Sequence, residues 1–408
     1  MTAPVLASDF TAATAAPQQH QWTRAEMLAL IALALFERIV FFPKRPPDMG
    51  IFLEPWFAHI VHYGPIQAFA HPFSNYEPAY LYVLAAGSLF HAWLAPMSII
   101  KILSVLGTLF MAFAFSDLLK SAGADRRGAL LLLVLPSVAI NDTLLAQCDA
   151  LWAGCCMLGL AALIRGRTPR AMVWCGLAIS LKLQAAFMAP VIIGAMIGQR
   201  APLRHWLVPA SVFLATLVPP WLLGWPAIRL LTVYMHQATV DQLVGRLANP
   251  WMFGTIYAPE LAAQWFIVGY AAAGIAAAIL AGLAARNPRD PKLLILLGAL
   301  AGTALPFLLP KMLERYYFLG DVMTLALALT WLNRPSAIAV RAVQIASVLT
   351  HLTYIYFFYD PWPTLVGFVF AAAGLVAMGM LAAPAFRAMA SDTYRQVVRK
   401  PRYGEAPA

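Results

Sequence analysis

Twelve apolar runs, most of them near twenty residues long, take up almost the whole chain, and mostly short loops join them. They fall at approximately 24–42, 79–97, 98–119, 128–141, 147–164, 171–197, 205–224, 263–285, 292–309, 317–332, 337–357 and 363–383. A helix needs about 20 apolar residues to cross a bilayer, and backbone in hydrocarbon must satisfy its own hydrogen bonds. The pattern predicts an all-α polytopic integral membrane protein with about 11–13 membrane helices. Composition agrees, with 62% hydrophobic and 11% charged residues, where a soluble protein carries about 25% charged.

The loop charges give an orientation. Lys120, Arg126 and Arg127 share one loop, Arg165, Arg167 and Arg170 the next, then Arg200 with Arg204, Arg286 with Arg289 and Lys292, and Arg334. The C-terminal tail adds Arg395, Arg399, Lys400 and Arg402. Cytoplasmic loops of membrane proteins are enriched in Lys and Arg, so all of these are placed inside. The net charge of +10 is then a consequence of topology. It is spread over many loops with no single patch, which argues against a nucleic-acid partner.

Two adjustments make the parity work. The run 171–197 has basic loops on both sides, so it is expected to be a hairpin of two short helices bent near Lys182. The run 79–97 is expected to be tilted or interfacial rather than a full crossing, with His91 and Trp93 at the membrane surface. Residues 1–22, polar and rich in Ala and Thr, are expected to be a disordered cytoplasmic tail. Residues 23–385 are read as a single membrane domain with outer regions at about 43–97 and 225–262, and 386–408 as a basic cytoplasmic tail. Cys148, Cys155, Cys156 and Cys175 lie in or beside apolar runs without metal or disulfide spacing, and read as packing residues.

The carboxylates collect on the other side. Asp48 follows the first span, Asn141-Asp142 occupies a short outer loop, Asp149 opens a helix, and Glu314 sits between two spans. Polar and ionisable groups at membrane depth are costly and mark functional sites. Asp48 suits a general base, although a loop Asp also commonly caps a turn. Asp149 suits a helix N-terminus on dipole grounds alone. Glu37 and Arg38 read as an ion pair at the outer end of the first helix. Lys182, in Lys182-Leu183-Gln184, stands inside an apolar run and needs a partner or an anionic ligand. Lys311-Met-Leu-Glu314-Arg315-Tyr316 puts two cations and a carboxylate at the membrane surface, as an anionic lipid headgroup requires, or as an ordinary charged loop would. Asn75-Tyr76-Glu77-Pro78-Ala79-Tyr80-Leu81-Tyr82 reads as a helix start at the interface or as a rim touching substrate.

The order of these elements resembles the GT-C superfamily of integral-membrane glycosyltransferases, and most of all the bacterial relatives of the mannosyltransferase that adds the second mannose to GPI anchors. The resemblance covers about Asp48 to Tyr317. It rests on Asp48, on Tyr76-Glu77-Pro78 with Tyr80 and Tyr82, on Gln147-Cys148-Asp149 with Trp152, on Lys182-Leu183-Gln184, and on Met312-Leu313-Glu314-Arg315-Tyr316. The family often has two prolines where this chain has Glu77-Pro78, and a histidine where it has Leu313. The second departure removes any role that histidine would have had.

The resemblance implies transfer of a hexose, with mannose the sugar it brings to mind, from a polyprenyl-phosphate donor to a hydroxyl on a lipid, glycan or protein. Asp48 would be the catalytic base, with Glu54 the alternative. Arg315, Lys311 and Lys182 would stabilise the departing phosphate, and Asp149 and Glu314 would orient those cations or bind sugar. Glu54, Trp56, Tyr76, Glu77, Tyr80, Asp142, Gln147, Gln184 and Tyr316 complete the expected substrate-binding set. The Gly-rich phosphate-loop motifs of nucleotide sites are absent. No cofactor is required by this reading; a divalent metal is open should Asp48, Asp142 and Asp149 converge. The compact loops and the resemblance imply a bacterial inner membrane with the site facing the periplasm. The rival reading is a transporter or flippase using Lys182 and Arg38 as counter-charges. A scaffold in an envelope polysaccharide complex is the third.

Overall fold

The structure, a computed structural model, describes residues 21–238, 247–356 and 362–398. Among these there are helices and no strands. The chain opens with α1 (Arg24–Phe41), α2 (Glu54–Tyr63), α3 (Pro78–Ser88) and α4 (Pro96–Ser121). Then come α5 (Ala129–Leu133), α6 (Pro136–Ala139), α7 (Asp149–Ile164), α8 (Thr168–Leu181), α9 (Ala189–Gly198) and α10 (Leu203–Trp206). Next are α11 (Val208–Leu223), α12 (Ala227–Leu231), α13 (Val233–Ala238), α14 (Trp251–Tyr257) and α15 (Ala262–Arg286). The last four are α16 (Pro291–Leu308), α17 (Phe318–Thr330), α18 (Arg334–Ile355) and α19 (Trp362–Val398).

Six helical segments, α4, α10–α11, the α15 region, α16, α18 and most of α19, are long and apolar enough to cross a membrane. The protein is a multi-pass membrane protein. The pair Arg126–Leu133 and Pro136–Leu144, bent by 59°, passes the same length and composition test when taken together, as a broken span or a re-entrant loop. Asp149–Ile164, Leu183–Gly198 and Phe318–Thr330 are apolar but shorter. A total of eleven to thirteen thus depends on short and broken helices and not on full crossings alone. The expected span 128–141 is one of the broken ones. Pro136 removes a backbone donor and holds Leu135 extended, at φ −67° and ψ 124°.

Caps at one end of the bundle follow local sequence. Thr23 and Glu26 form a capping box on α1, Asp290 accepts from the backbone of Lys292 and Leu293 at the start of α16, and Asn333 caps α18 with Ser336. The basic loops meet at this same end. Gln199 Nε2 donates to Leu163 O at 3.0 Å and to Pro288 O at 2.8 Å. Arg165 grips Asp117 of α4 with two nitrogens, and Lys292 lies over the Trp331 ring. The segment between the 165–170 and 199–204 loops therefore leaves and returns on one side. It breaks where the charge pattern requires, at Lys182, whose backbone is extended. α3 has 11 residues, a length of about 16 Å that cannot span ~30 Å of hydrocarbon. Phe90, Trp93 and Leu94 after it are exposed. At the C-terminus α19 continues to Val398, so the first part of the expected 386–408 tail is an extension of the last helix. Residues 1–20 and 399–408 lie outside the described residues.

Small residues bring helices close. Gly194 and Gly198 of α9 set their α-carbons against the carbonyls of Ala281 and Ala285 of α15, the close approach that replaces hydrophobic drive between membrane helices. At the end opposite the basic loops, Lys101 is fully buried in the first turns of α4. Its ammonium donates to the carbonyls of Phe41 at 3.1 Å and Phe42 at 2.8 Å, and to that of Lys44. These belong to the C-terminus of α1 and the loop after it, so this lysine is a helix cap.

Candidate active site

The far end of the bundle holds a cavity of about 340 Å³ whose walls include Asp48, Trp56, Gln147, Lys182, Arg315 and Tyr354. Six separate parts of the chain build it: 48–56, 75–76, 147, 182–184, 313–316 and 354. Asp48 stands at the start of the π-helical turn Met49–Leu53 that leads into α2. Gln147 follows Ala146, whose φ of 55° lies in the left-handed region. That conformation costs a non-glycine residue about 1–3 kcal/mol and concentrates at functional sites; it turns the chain between the π-turn Ile140–Leu144 and α7. Lys182 comes from the break after α8. Arg315 follows Lys311, which is also left-handed at φ 64°.

Asp48 has donors on both oxygens. Tyr354 donates its hydroxyl to Oδ1 at 2.7 Å. Gln147 Nε2 donates to Oδ2 at 3.1 Å, and an Arg315 guanidinium nitrogen lies 3.3 Å from the same atom. Arg315 also reaches Glu314 Oε1 at 2.6 Å, so it joins two carboxylates. Its Nε is buried without a hydrogen-bond partner among the described residues, as is Glu314 Oε2. Lys182 is paired with Asp149 at 2.5 Å and sits 5.4 Å from the centre of the Tyr76 ring. Asn141 Nδ2 and Trp152 Nε1 complete the shell of Asp149, at 2.9 Å and 2.8 Å. One wall is aromatic: Phe52, Trp56 and Tyr76 follow one another with ring centres 5.9 and 5.1 Å apart, and Tyr80 lies behind it, 5.7 Å from the Tyr76 ring.

Of the residues singled out in the sequence, Asp48, Trp56, Tyr76, Gln147, Lys182, Gln184, Glu314, Arg315 and Tyr316 line this cavity. Leu313 lines it too, so the departure from the histidine pattern falls on the wall itself. Asp149 and Tyr80 stand behind the wall, Asp149 as the partner of Lys182 and Tyr80 as the partner of the Tyr76 ring. Glu54 is drawn to Arg45 at the surface and does not line the cavity. Asp142 is displaced from the expected outer loop. It lies in the buried π-turn Ile140–Leu144, 1% exposed, and pairs with Arg38 at 2.8 Å. Arg38 also donates to the carbonyls of Ala34 and Leu133, which ties α1 to the bent pair.

The three aspartates that were open to metal binding go instead to three different cations: Asp48 to Arg315, Asp142 to Arg38, Asp149 to Lys182. No group of three or more His, Cys, Asp or Glu among the described residues is arranged to hold a metal ion. Glu77 is 1% exposed and neither of its oxygens has a hydrogen-bond partner among the described residues. Burial pushes its carboxyl up to about 8, so near neutrality it is protonated.

Lys311 lies outside the polar cavity. It lines a second, larger cavity of about 650 Å³ between α9 and α15, otherwise almost wholly apolar, and its ammonium is 5.0 Å from the Phe266 ring centre. Gln184 and Tyr316 line both cavities.

Sequence reasoning missed Tyr354, which is 306 residues from the carboxylate it touches. The signal available was a polar pair, His351 and Tyr354, one turn apart near the end of an apolar run. No family model matches the chain, and no curated protein matches it.

Proposed function

We propose that the protein is a glycosyltransferase that moves a sugar from a polyprenyl-phosphate donor to an acceptor hydroxyl on the far, non-cytoplasmic face of the membrane, the periplasmic face of a bacterial inner membrane. The observation that carries this reading is the pairing of two cavities. A polar chamber holds a carboxylate, an ammonium and a guanidinium. An apolar groove shares Gln184 and Tyr316 with it. A lipid-linked sugar phosphate has the same division of chemistry.

In this mechanism Asp48 takes the proton of the acceptor hydroxyl as that oxygen attacks the anomeric carbon. The new carbon–oxygen bond forms on the face opposite the one that breaks, so the configuration inverts. The electron pair of the breaking bond stays on the lipid phosphate. That oxygen needs charge stabilisation and no proton, because a phosphate ester is a weak base. Arg315 supplies a guanidinium that lines the chamber, and Lys182 an ammonium fixed in place by Asp149. Losing one such preorganised electrostatic contact typically costs about 10²–10³ in rate. Tyr354, Gln147 and Arg315 hold Asp48 in one orientation, which serves a base that must meet its proton at about 2.6–3.2 Å. The aromatic wall of Phe52, Trp56 and Tyr76 suits stacking against a sugar face. Hexose and mannose in particular belong to the proposal on resemblance alone.

The test is transfer from synthetic polyprenyl-phosphate sugars by the purified wild type and by Asp48→Asn. Asparagine keeps an oxygen for Tyr354 and loses the base, so a folded variant with transfer reduced about 10²–10⁴-fold is expected. Equal transfer by both proteins would move the base elsewhere. Absence of transfer from any donor, joined to movement of a lipid phosphate in proteoliposomes, would replace the enzyme with a transporter.

A further inference from the structure

One face of α18 is polar where the helix meets the chamber. Ser347, Thr350, His351 and Tyr354 recur at the three- and four-residue spacing that puts side chains on one face. Ser347 donates to Asp321 Oδ2 at 2.7 Å, Thr350 Oγ1 lies 3.1 Å from the backbone carbonyl of Glu314, and Tyr354 donates to Asp48 at 2.7 Å. Near the same stretch α19 brings Thr364, which donates to Thr353. His351 is fully buried on this face, and it has no part in the proton transfer to Asp48.

The tautomer of His351 follows from its one partner. Nδ1 lies 2.7 Å from the carbonyl oxygen of Ser347, and a carbonyl only accepts, so Nδ1 carries a hydrogen. In the neutral ring Nε2 is then a bare acceptor, and it has no hydrogen-bond partner among the described residues. The charge that acts most strongly on the ring is the Glu314 carboxylate, followed by Arg315 and Asp149. Glu314 is buried as well, and its Oε2 also lacks a partner among the described residues. Two acceptors without a donor in one dry region are costly, and a proton on Nε2 turns one of them into a donor.

Charge balance points the same way. The chamber and its wall set Asp48, Glu314 and Asp149 against Lys182 and Arg315, three carboxylates against two cations. Asp321, behind Ser347, can only add to that excess. A phosphodiester brings one more negative charge into the site, and uncompensated buried charge is strongly unfavourable. We infer that His351 is a positioning residue: His351 and Glu314 together take up one proton from solvent when an anionic phosphodiester enters the chamber. The imidazolium then pairs with the Glu314 carboxylate, and the guanidinium of Arg315 is left to serve the phosphate. The identity of the anion rests on the transferase reading; the proton site rests on His351 and Glu314 themselves.

The experiment is titration calorimetry of the full-length protein in nanodiscs with a prenyl methyl phosphate diester, whose single charge is constant from pH 5 to 9. The complex holds one proton more than the free protein, so affinity falls as pH rises, by up to about tenfold per pH unit while that proton is lost. The wild type is expected to lose at least about tenfold in affinity across this range. Titrations in two buffers of different ionisation enthalpy are expected to show uptake of about 0.5–1 proton per ligand where the affinity falls. His351→Gln is expected to flatten the profile at the weak, high-pH level. Glu314→Gln is expected to flatten it at the tight, low-pH level, because glutamine at 314 removes the excess charge that the proton offsets. A merely structural role would weaken binding in both variants and leave the slope. A wild type whose affinity does not change with pH, a slope kept in either variant, equal affinity of the two variants, or no binding at any pH would each overturn the inference. A wild type that takes up the proton on binding but transfers no sugar would remove the transferase reading and leave the proton site. A wild type that transfers sugar and binds the diester without proton uptake would do the reverse.

Discussion

The two ends of this bundle use the same charged residues to different effect. At the basic end Arg165 holds Asp117, and both side chains are about a quarter exposed, at 27% and 25%. At the far end Lys182 and Asp149 are 5% and 2% exposed, and Arg315 and Glu314 are 11% and 1%. Pairs open to water typically contribute about 0–1 kcal/mol. Buried pairs give little net stability over an apolar core, but breaking one by removing a single partner costs about 3–5 kcal/mol. The basic end is therefore topology written in charge, tolerant of substitution. At the far end, Lys182 and Arg315 are buried and each is fixed by a carboxylate, as a preorganised site requires.

The largest expected effect tests that contrast directly. Lys182→Met leaves Asp149 buried without its cation and should destabilise the protein by about 3–5 kcal/mol, read as a fall in melting temperature in detergent. Adding Asp149→Asn should restore most of the stability but not sugar transfer, since the cation is still missing. Recovery of both would make the pair purely structural. Tyr354→Phe comes next. It removes one hydrogen bond to a charged group and is expected to lower kcat about tenfold, with KM and melting temperature little changed; a KM effect alone would place Tyr354 in substrate binding.

A third prediction concerns pH. The carboxyl of Glu77 is pushed up to about 8 by burial from an ordinary value of 4.5. Below the ordinary value both folded and unfolded chains carry the proton. Between that value and about 8 the unfolded chain loses it first, so the folded state binds more protons and stability declines as pH rises. Above about 8 the slope vanishes. Melting curves from pH 5 to 8 should show this decline in the wild type and a flatter profile in Glu77→Gln. The smallest effect is expected at the other end, where Asp117→Asn should cost at most about 1 kcal/mol and leave transfer unchanged. A cost there equal to that of Lys182→Met would erase the distinction between the ends.

Much of this was legible in the chain because bilayer physics acts on local sequence. Basic residues on both sides of 171–197 required a break, and the break is at Lys182. The 79–97 run could not cross without spoiling parity, and α3 stops at Ser88. The proline at 136 was as visible as any other, yet 128–141 was read as one span, because the length of an apolar run says nothing of a bend inside it. Lys101 escaped notice for the same reason: hydropathy averaged over twenty residues hides one buried ammonium that caps another helix.

Apolar run length, loop charge and the need to satisfy backbone groups in hydrocarbon were enough to determine a helical multi-pass protein with Asp48, Asp149 and Glu314 at the end opposite its basic loops. These depend on neighbours in sequence and on a solvent that is the same everywhere along the membrane. Which cation meets which carboxylate was decided only by the tertiary structure. Asp48 receives Tyr354 from the end of α18, Asp149 receives Lys182 from a broken helix, and Asp142 is taken by Arg38 and leaves the site. Several pairings were open to each charge at similar Coulomb energy, and helix packing, which sets distances to within an ångström, selected among them.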